Sequence, residues 1–431
     1  MKAKILMLLF FIIAGVMTVI ISVNAVTSKE KNYNKYLATA RANADNEVPY
    51  TACQNYRRAF EIKCEDEEIY LEYLEQSKLL GDSFYKSAVE GYISYFPTSE
   101  RAYEELCTFY YDTESYIRVL EVANEARNLG VATEKVKTLY LDCFYRFKYV
   151  KRGFDFVTTF LGSTALVKKN EKYGFLTTDG KFLIEPRFED ANVFLGSSTA
   201  VYDGNEWFMI NTSGYKIARP SIEVESLSFL SSGKIVVKKN GKYGYTGASF
   251  DIADELPYEE ASNFKNGIAA VKVNNKWALI NTNEENITDF VFDEVVLDEY
   301  RTCINNGVIF VKKDDSYYMV NNTGSKITET SFDAVYPFVS KGMAAVCVDG
   351  KWGFVDASGN MVIEPQYEQA KSFGNGLAPV RVGDLWGYIS SNGEWRIECQ
   401  FEDCLPFSTN GIAAVKEDGV WNYIKLLAYY N

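Results

Sequence analysis

Carboxylates are the residues of this chain whose type and spacing could do chemistry. Glu189 and Asp190, Glu259 and Glu260, Asp293 and Glu294, Asp333, Glu368, and Glu402 with Asp403 return at similar positions along the C-terminal two-thirds. Two acids at a suitable separation can cleave a glycoside without histidine. A ring of them could instead gather cations, and the plainest reading is a solvated strand start in an acidic protein. A reaction site should break a repeat with unmatched acids. None stands out, so no catalytic residue is assigned and the chain reads as a non-enzyme.

Other chemistry is thinner. Histidine is absent, which removes the commonest general base and the commonest metal ligand together. The eight cysteines are scattered, and Cys399 with Cys404 supplies two thiols where zinc needs three or four ligands. No metal or cofactor is expected, and no nucleophile elbow or phosphate-binding glycine loop occurs. A formal charge of −13 without runs of Lys or Arg sets nucleic acid aside. Phe229, Tyr300 and Tyr336 are the rings outside the repeat pattern that could stack on a sugar.

The elements that must position these groups are set by a repeat. An aromatic returns in one local setting at Tyr173, Trp207, Tyr243, Trp277, Tyr317, Trp352, Trp386 and Trp421, with gaps of 34, 36, 34, 40, 35, 34 and 35 residues. Such a period marks a modular array. In the unit Gly342 to Phe373, strands are expected at Met343–Val348, Lys351–Asp356, Met361–Glu364 (stopped by Pro365) and Tyr367–Phe373, with Asp349-Gly350 and Ser358-Gly359 as turns. Four antiparallel strands make one blade-sized sheet.

The step Lys351-Trp352-Gly353-Phe354 recurs as Leu385-Trp386-Gly387-Tyr388, Lys172-Tyr173-Gly174-Phe175 and Lys242-Tyr243-Gly244-Tyr245. These units resemble the bacterial WG-repeat family over residues 148–431. Elsewhere Phe208, Ala278, Tyr318 and Asn422 replace the glycine. The rings are read as structural anchors that seal neighbouring sheets together, and the glycine as leaving room for the ring of the next unit. First-strand lysines such as Lys168, Lys238 and Lys312 are read as surface counterparts of the acids.

The last unit has only a first and second strand, Ile412 to Lys416 and Trp421 to Leu426. The front of the array offers the missing half, Lys148-Tyr149-Val150 and then Phe154 to Gly162. Joining the two gives seven complete sheets plus one composite, an eight-bladed β-propeller latched by both ends. An open β-solenoid is the alternative.

Residues 27–147 show helical spacing, with Ala59, Ala88 and Ala123 where paired helices would approach. The segment resembles degenerate tetratricopeptide repeats, which implies a concave protein-binding face or a spacer; a non-repeat helical bundle is the other reading. Aromatics such as Phe109, Tyr110 and Tyr111 read as helix packing. Ahead of it, Ile5 to Val26 is an apolar run behind Lys2 and Lys4, within residues 1–26, suited to a membrane anchor helix or a signal peptide. The expected whole is an α+β multidomain protein with its body outside the cytoplasm, single-pass or secreted. Its expected work is that of an interaction scaffold for a protein partner, with a cell-wall or other glycan as the alternative ligand and a carboxylate-dependent hydrolase behind both.

Overall fold

The computed structural model describes residues 2–339 and 341–430, with the side chains of 2–12, 20 and 21 outside the described set. Two compact units divide the chain, Met1–Phe144 and Tyr145–Asn431.

Among the described residues the first unit holds seven helices: α1 (Lys2–Asp45), α2 (Pro49–Phe60), α3 (Glu67–Lys78), α4 (Asp82–Tyr95), α5 (Glu100–Asp112), α6 (Tyr116–Leu129) and α7 (Glu134–Phe144). Short connections make successive helices neighbours. Ala59, Ala88 and Ala123 lie on α2, α4 and α6, fully covered, where a larger side chain would push the neighbouring helix away. Buried tyrosines fill the layers between helices and find acidic partners for their hydroxyls. Tyr56 donates to Glu72 (2.8 Å), Tyr92 to Glu67 (2.7 Å) and Tyr110 to Glu90 (2.6 Å). The rings therefore pack, and their polar ends are satisfied.

The apolar run Ile5–Val26 falls within α1, and much of it lies outside the residues with described side chains. Among the described residues, no helix is long and apolar enough to cross a membrane.

The second unit is a ring of eight antiparallel sheets, counted among the described residues. Blade 6 shows the plan: a two-residue inner strand Ala334–Val335, then Ala344–Val348, Lys351–Val355 and the outer Met361–Tyr367. The expected fourth strand of each sequence unit is thus the inner strand of the following blade, as Gln369–Ala370 is for blade 7. Pro365 does not stop its strand. It sits in a bulge on the outer edge, where Trp352 faces Tyr367 and Phe354 faces Ile363, so that two steps oppose four. A missing N–H is tolerated there.

Closure joins front to rear. Phe147–Phe154 pairs along Val420–Leu426 as the outer strand of blade 8, and Phe156–Val157 then begins blade 1. The seam is filled by Phe154, Val157, Phe160 and Ala165 from the front with Ile412, Ala414 and Tyr423 from the rear. Inside it the Tyr423 hydroxyl donates to the Thr158 carbonyl at 2.6 Å. The ring is closed, and the open solenoid does not describe it.

Blades 3, 4 and 5 have three strands each instead of four, with the outer position reduced to isolated bridges such as Trp277 with Phe292. The glycine explains part of the difference. A Cβ on Gly353 would lie 2.5 Å from the Ile363 carbonyl oxygen and 2.7 Å from Pro365 N; on Gly387, 2.5 Å from Ile397 O; on Gly174, 2.6 Å from Pro186 N. Glycine there admits the bulged backbone of the blade's own outer strand, not the ring of the next unit as its pairing with the aromatic suggested. Blades 1, 6 and 7 carry it and have seven-residue outer strands, whereas Ala278 and Tyr318 occupy the position in blades 4 and 5; blade 3 carries Gly244 without an outer strand, and there a Cβ would meet only the Leu256 side chain.

Candidate functional site

The repeated residues are consumed by the ring itself. Trp207, Trp277 and Trp386 are buried, and Tyr173, Tyr243, Tyr317, Trp352 and Trp421 are half-buried; none stands in solvent. Each lies at a junction between consecutive blades. Trp386 shares a core cluster with Cys404, Phe407 and Val415 of blade 8, and Trp277 with Val295, Ile309 and Val311 of blade 5. The indole of Trp207 also donates to the Glu225 carbonyl at the entry to blade 3 (3.0 Å).

Lysines of the second strand cover the rings from their own sheet, as Lys168 over Tyr173 (5.1 Å), Lys238 over Tyr243 (5.4 Å) and Lys312 over Tyr317 (5.6 Å). That contact adds to the charge pairing expected of them. Several recurring acids have a structural duty too. Glu259 accepts from the Asn274 and Asn275 N–H groups (3.2 and 3.0 Å), Asp293 from Asp314 N–H (3.1 Å), and Glu402 from Gly419 N–H (3.0 Å). Each clamps the tight turn between second and third strands, whose left-handed residues turn N–H groups outward. The donated N–H groups of Asn275 and Asn274 hold the Glu259 carboxyl below its usual range; at Asp293 the Lys276 ammonium does most of this. Among the described residues, no group of three or more Cys, Asp or Glu is placed to hold a metal.

One segment stands outside this division of labour. Fifteen positions separate Phe292 from Gly307, where nine separate the matching Tyr367 from Gly376. The surplus forms a loop from Leu297 to Thr302, after the inner strand Glu294–Val295 of blade 5. Asp298 folds the loop on itself, accepting from Tyr300 N–H (3.0 Å), Thr302 N–H (2.8 Å), the Thr302 hydroxyl (2.6 Å) and the Asn305 amide (3.0 Å). The tip reaches other blades. Asn263 of blade 4 donates its N–H to Arg301 O (2.8 Å) and its side-chain amide to Tyr300 O (2.9 Å). Thr159 of blade 1 donates its N–H to Glu299 Oε2 (3.1 Å) and accepts from the Tyr300 hydroxyl (3.3 Å). A loop of blade 5 that bonds both blade 4 and blade 1 must lie across the axis of the ring.

Beside it opens a cavity of about 420 Å³, walled by Leu161, Leu297, Val335, Pro337, Val339 and Leu405 together with Tyr300 and Tyr336. Residues following the inner strands of blades 1, 5, 6 and 8 meet there, which places it at one end of the ring axis. Its charged groups are Lys265, Asp298 and Glu299. Lys265 pairs with Asp298 at 3.7 Å and donates to Asn305 at 2.5 Å. Glu299 lines the cavity and is an exposed residue; the protein around its carboxyl raises it above the usual range by desolvation, partly offset by the Thr159 N–H. Desolvation likewise raises the Tyr336 phenol to about 12.

Of the three rings considered for sugar stacking, Phe229 is buried in the core between blades, and Tyr300 and Tyr336 face the cavity. The unmatched acids Asp298 and Glu299 were hidden among many others. The signal that exposes them is the single 40-residue gap, between Trp277 and Tyr317.

The family described as WG containing repeat matches the chain at residues 173–202, 257–277, 319–352, 352–386 and 386–421. No curated protein matches it. Among solved structures the chain is similar to Kluyvelomyces marxianus Hsv2, at 10% identity over 61% of this chain and 89% of that one, with a TM-score of 0.39. It is also similar to Porphyromonas gingivalis dipeptidyl peptidase 4, at 9% identity over 63% and 56%, with a TM-score of 0.41. All five matched segments begin or end on an anchor ring, and two of them, 352–386 and 386–421, run from one anchor to the next. The C-terminal unit is a β-propeller that carries WG-containing repeats at five places.

Proposed function

We propose that the protein is a non-catalytic interaction scaffold, carried outside the cytoplasm by residues 5–26 as anchor or export signal, that binds a protein partner with its propeller and helical surfaces. The observation that carries the reading is where the recurrent side chains are used: rings at blade junctions, lysines over rings, acids on turns. What remains variable, and available to a partner, is the set of loops between inner and second strands and the outer faces of the helices. A glycosidase would need two working carboxyls. In the axial cavity Asp298 is saturated by its own loop and Lys265, which leaves Glu299 alone.

Photocrosslinkers placed singly in those loops, in intact cells of the source organism, should yield adducts to one protein. A ring that gives no protein adduct yet binds purified wall glycan would overturn the reading. Protease added to intact cells should digest the body of the protein; complete protection until lysis would remove the extracytoplasmic part.

A further inference from the structure

We propose that the axial cavity binds a single ammonium or guanidinium group carried on a compact apolar body, with Glu299 as the residue that holds the cation. The volume, about 420 Å³, lies in the range of small-ligand sites and suits a body of aromatic or branched-aliphatic size. Its walls are largely aliphatic, from Leu161, Val335, Pro337, Val339 and Leu405, so an apolar body gains by leaving water there. The charge count is asymmetric. Asp298 and Lys265 neutralise each other, and among the described residues no cation lies within ion-pair distance of Glu299. One negative charge is left facing an apolar space, where a cation strengthens binding and an anion is repelled.

The carboxylate is also held in place before any ligand arrives. Thr159 N–H fixes Oε2, and the next residue, Tyr300, is pinned by Asn263 at its carbonyl and by Thr159 at its hydroxyl. A fixed acceptor keeps more of its interaction energy than a mobile one. The loop is not required for closing the ring, because the other blades make the same connection without the surplus residues. Its acid has no ion-pair partner among the described residues, and an arriving cation supplies one.

The test is calorimetric titration of the full chain with 2-phenylethylamine, with the neutral isostere 2-phenylethanol, and with an acetylated Leu-Lys-Leu amide beside its norleucine counterpart. The amine should bind about tenfold or more tightly than the alcohol, and Glu299→Gln should erase that ratio. In wild-type protein the amine's affinity should fall on acidification as Glu299 takes up a proton, which keeps the test valid if the variant does not fold. Binding of the lysyl peptide alone, lost in Glu299→Gln, upholds the cation site and identifies its source as a partner's side chain; binding of the free amine identifies a small molecule. Equal binding of amine and alcohol, an amine affinity within twofold in Glu299→Gln, or no binding of any probe at 10 mM overturns the proposal.

Discussion

Replacing Gly353 by alanine tests the account of how a blade acquires its outer strand. The new Cβ would sit 2.5 Å from Ile363 O, 2.7 Å from Pro365 N and 2.9 Å from Glu364 C, all of them backbone atoms. Ordinary contact begins near 3.4 Å, so the bulge must retreat by about 0.9 Å against its own ladder. Overpacking of this kind costs about 1–3 kcal/mol. Glycine-to-alanine at an unstrained site otherwise gains about 0.4–1 kcal/mol through the unfolded chain. The net expectation is a loss of about 1–2 kcal/mol. All six tryptophans lie in the propeller unit, so urea unfolding followed by tryptophan fluorescence reports on the ring alone. The midpoint should fall while the slope holds. Gly387→Ala should behave alike, and Gly244→Ala should cost less, because its obstacle at 2.8 Å is the end of the Leu256 side chain, which can rotate away. A Gly353→Ala protein as stable as wild type, or a Gly244→Ala protein equally damaged, would refute the reasoning.

Three further outcomes follow from the same contacts. Because desolvation raises the folded-state carboxyl of Glu299, the folded protein holds that proton more tightly than the unfolded chain, and stability falls as pH rises through the interval above the unfolded value of about 4.3. Glu299→Gln should therefore stabilise the ligand-free ring at pH 7 and lose its advantage below about pH 4, which thermal melts across pH would read. Tyr423→Phe removes a buried hydrogen bond at the seam and should cost about 1–2 kcal/mol, seen as a lower fluorescence midpoint; no change would mean that the seam does not limit ring stability. Ala88→Leu overfills the layer between α4 and its neighbours and should cost about 1–3 kcal/mol, with an earlier loss of far-ultraviolet helical signal.

Blade number and closure were legible because both depend on period: evenly spaced rings count the sheets, and half-units at the two ends can satisfy each other's edges. Phase was not legible. One residue, Glu368, joins the outer strand ending at Tyr367 to the inner strand beginning at Gln369, so the sequence pattern runs through the blade boundary without a turn to mark it. Pro365 misled for a related reason. Alternation shows a strand only while one residue opposes one, and the bulge that accommodates the proline breaks that rule without ending the pairing. Pairing with a ring points the glycine at the neighbouring unit, but at Gly174, Gly353 and Gly387 the nearest obstacle is the backbone of the blade's own outer strand.

The axial loop escaped notice because a repeat is read by what its copies share. Asp298 and Glu299 add two acids to a chain already rich in them, and only their offset from the period distinguishes them. Once folded, that offset acquires physical meaning. A connection of ordinary length can reach only its own blade's second strand, whereas the surplus residues span to Asn263 and Thr159 on other blades. The span leaves a cavity of about 420 Å³ beside it, with Glu299 on its wall. The other inner connections close their part of the ring without these residues, so the loop is additional to the plan the blades share.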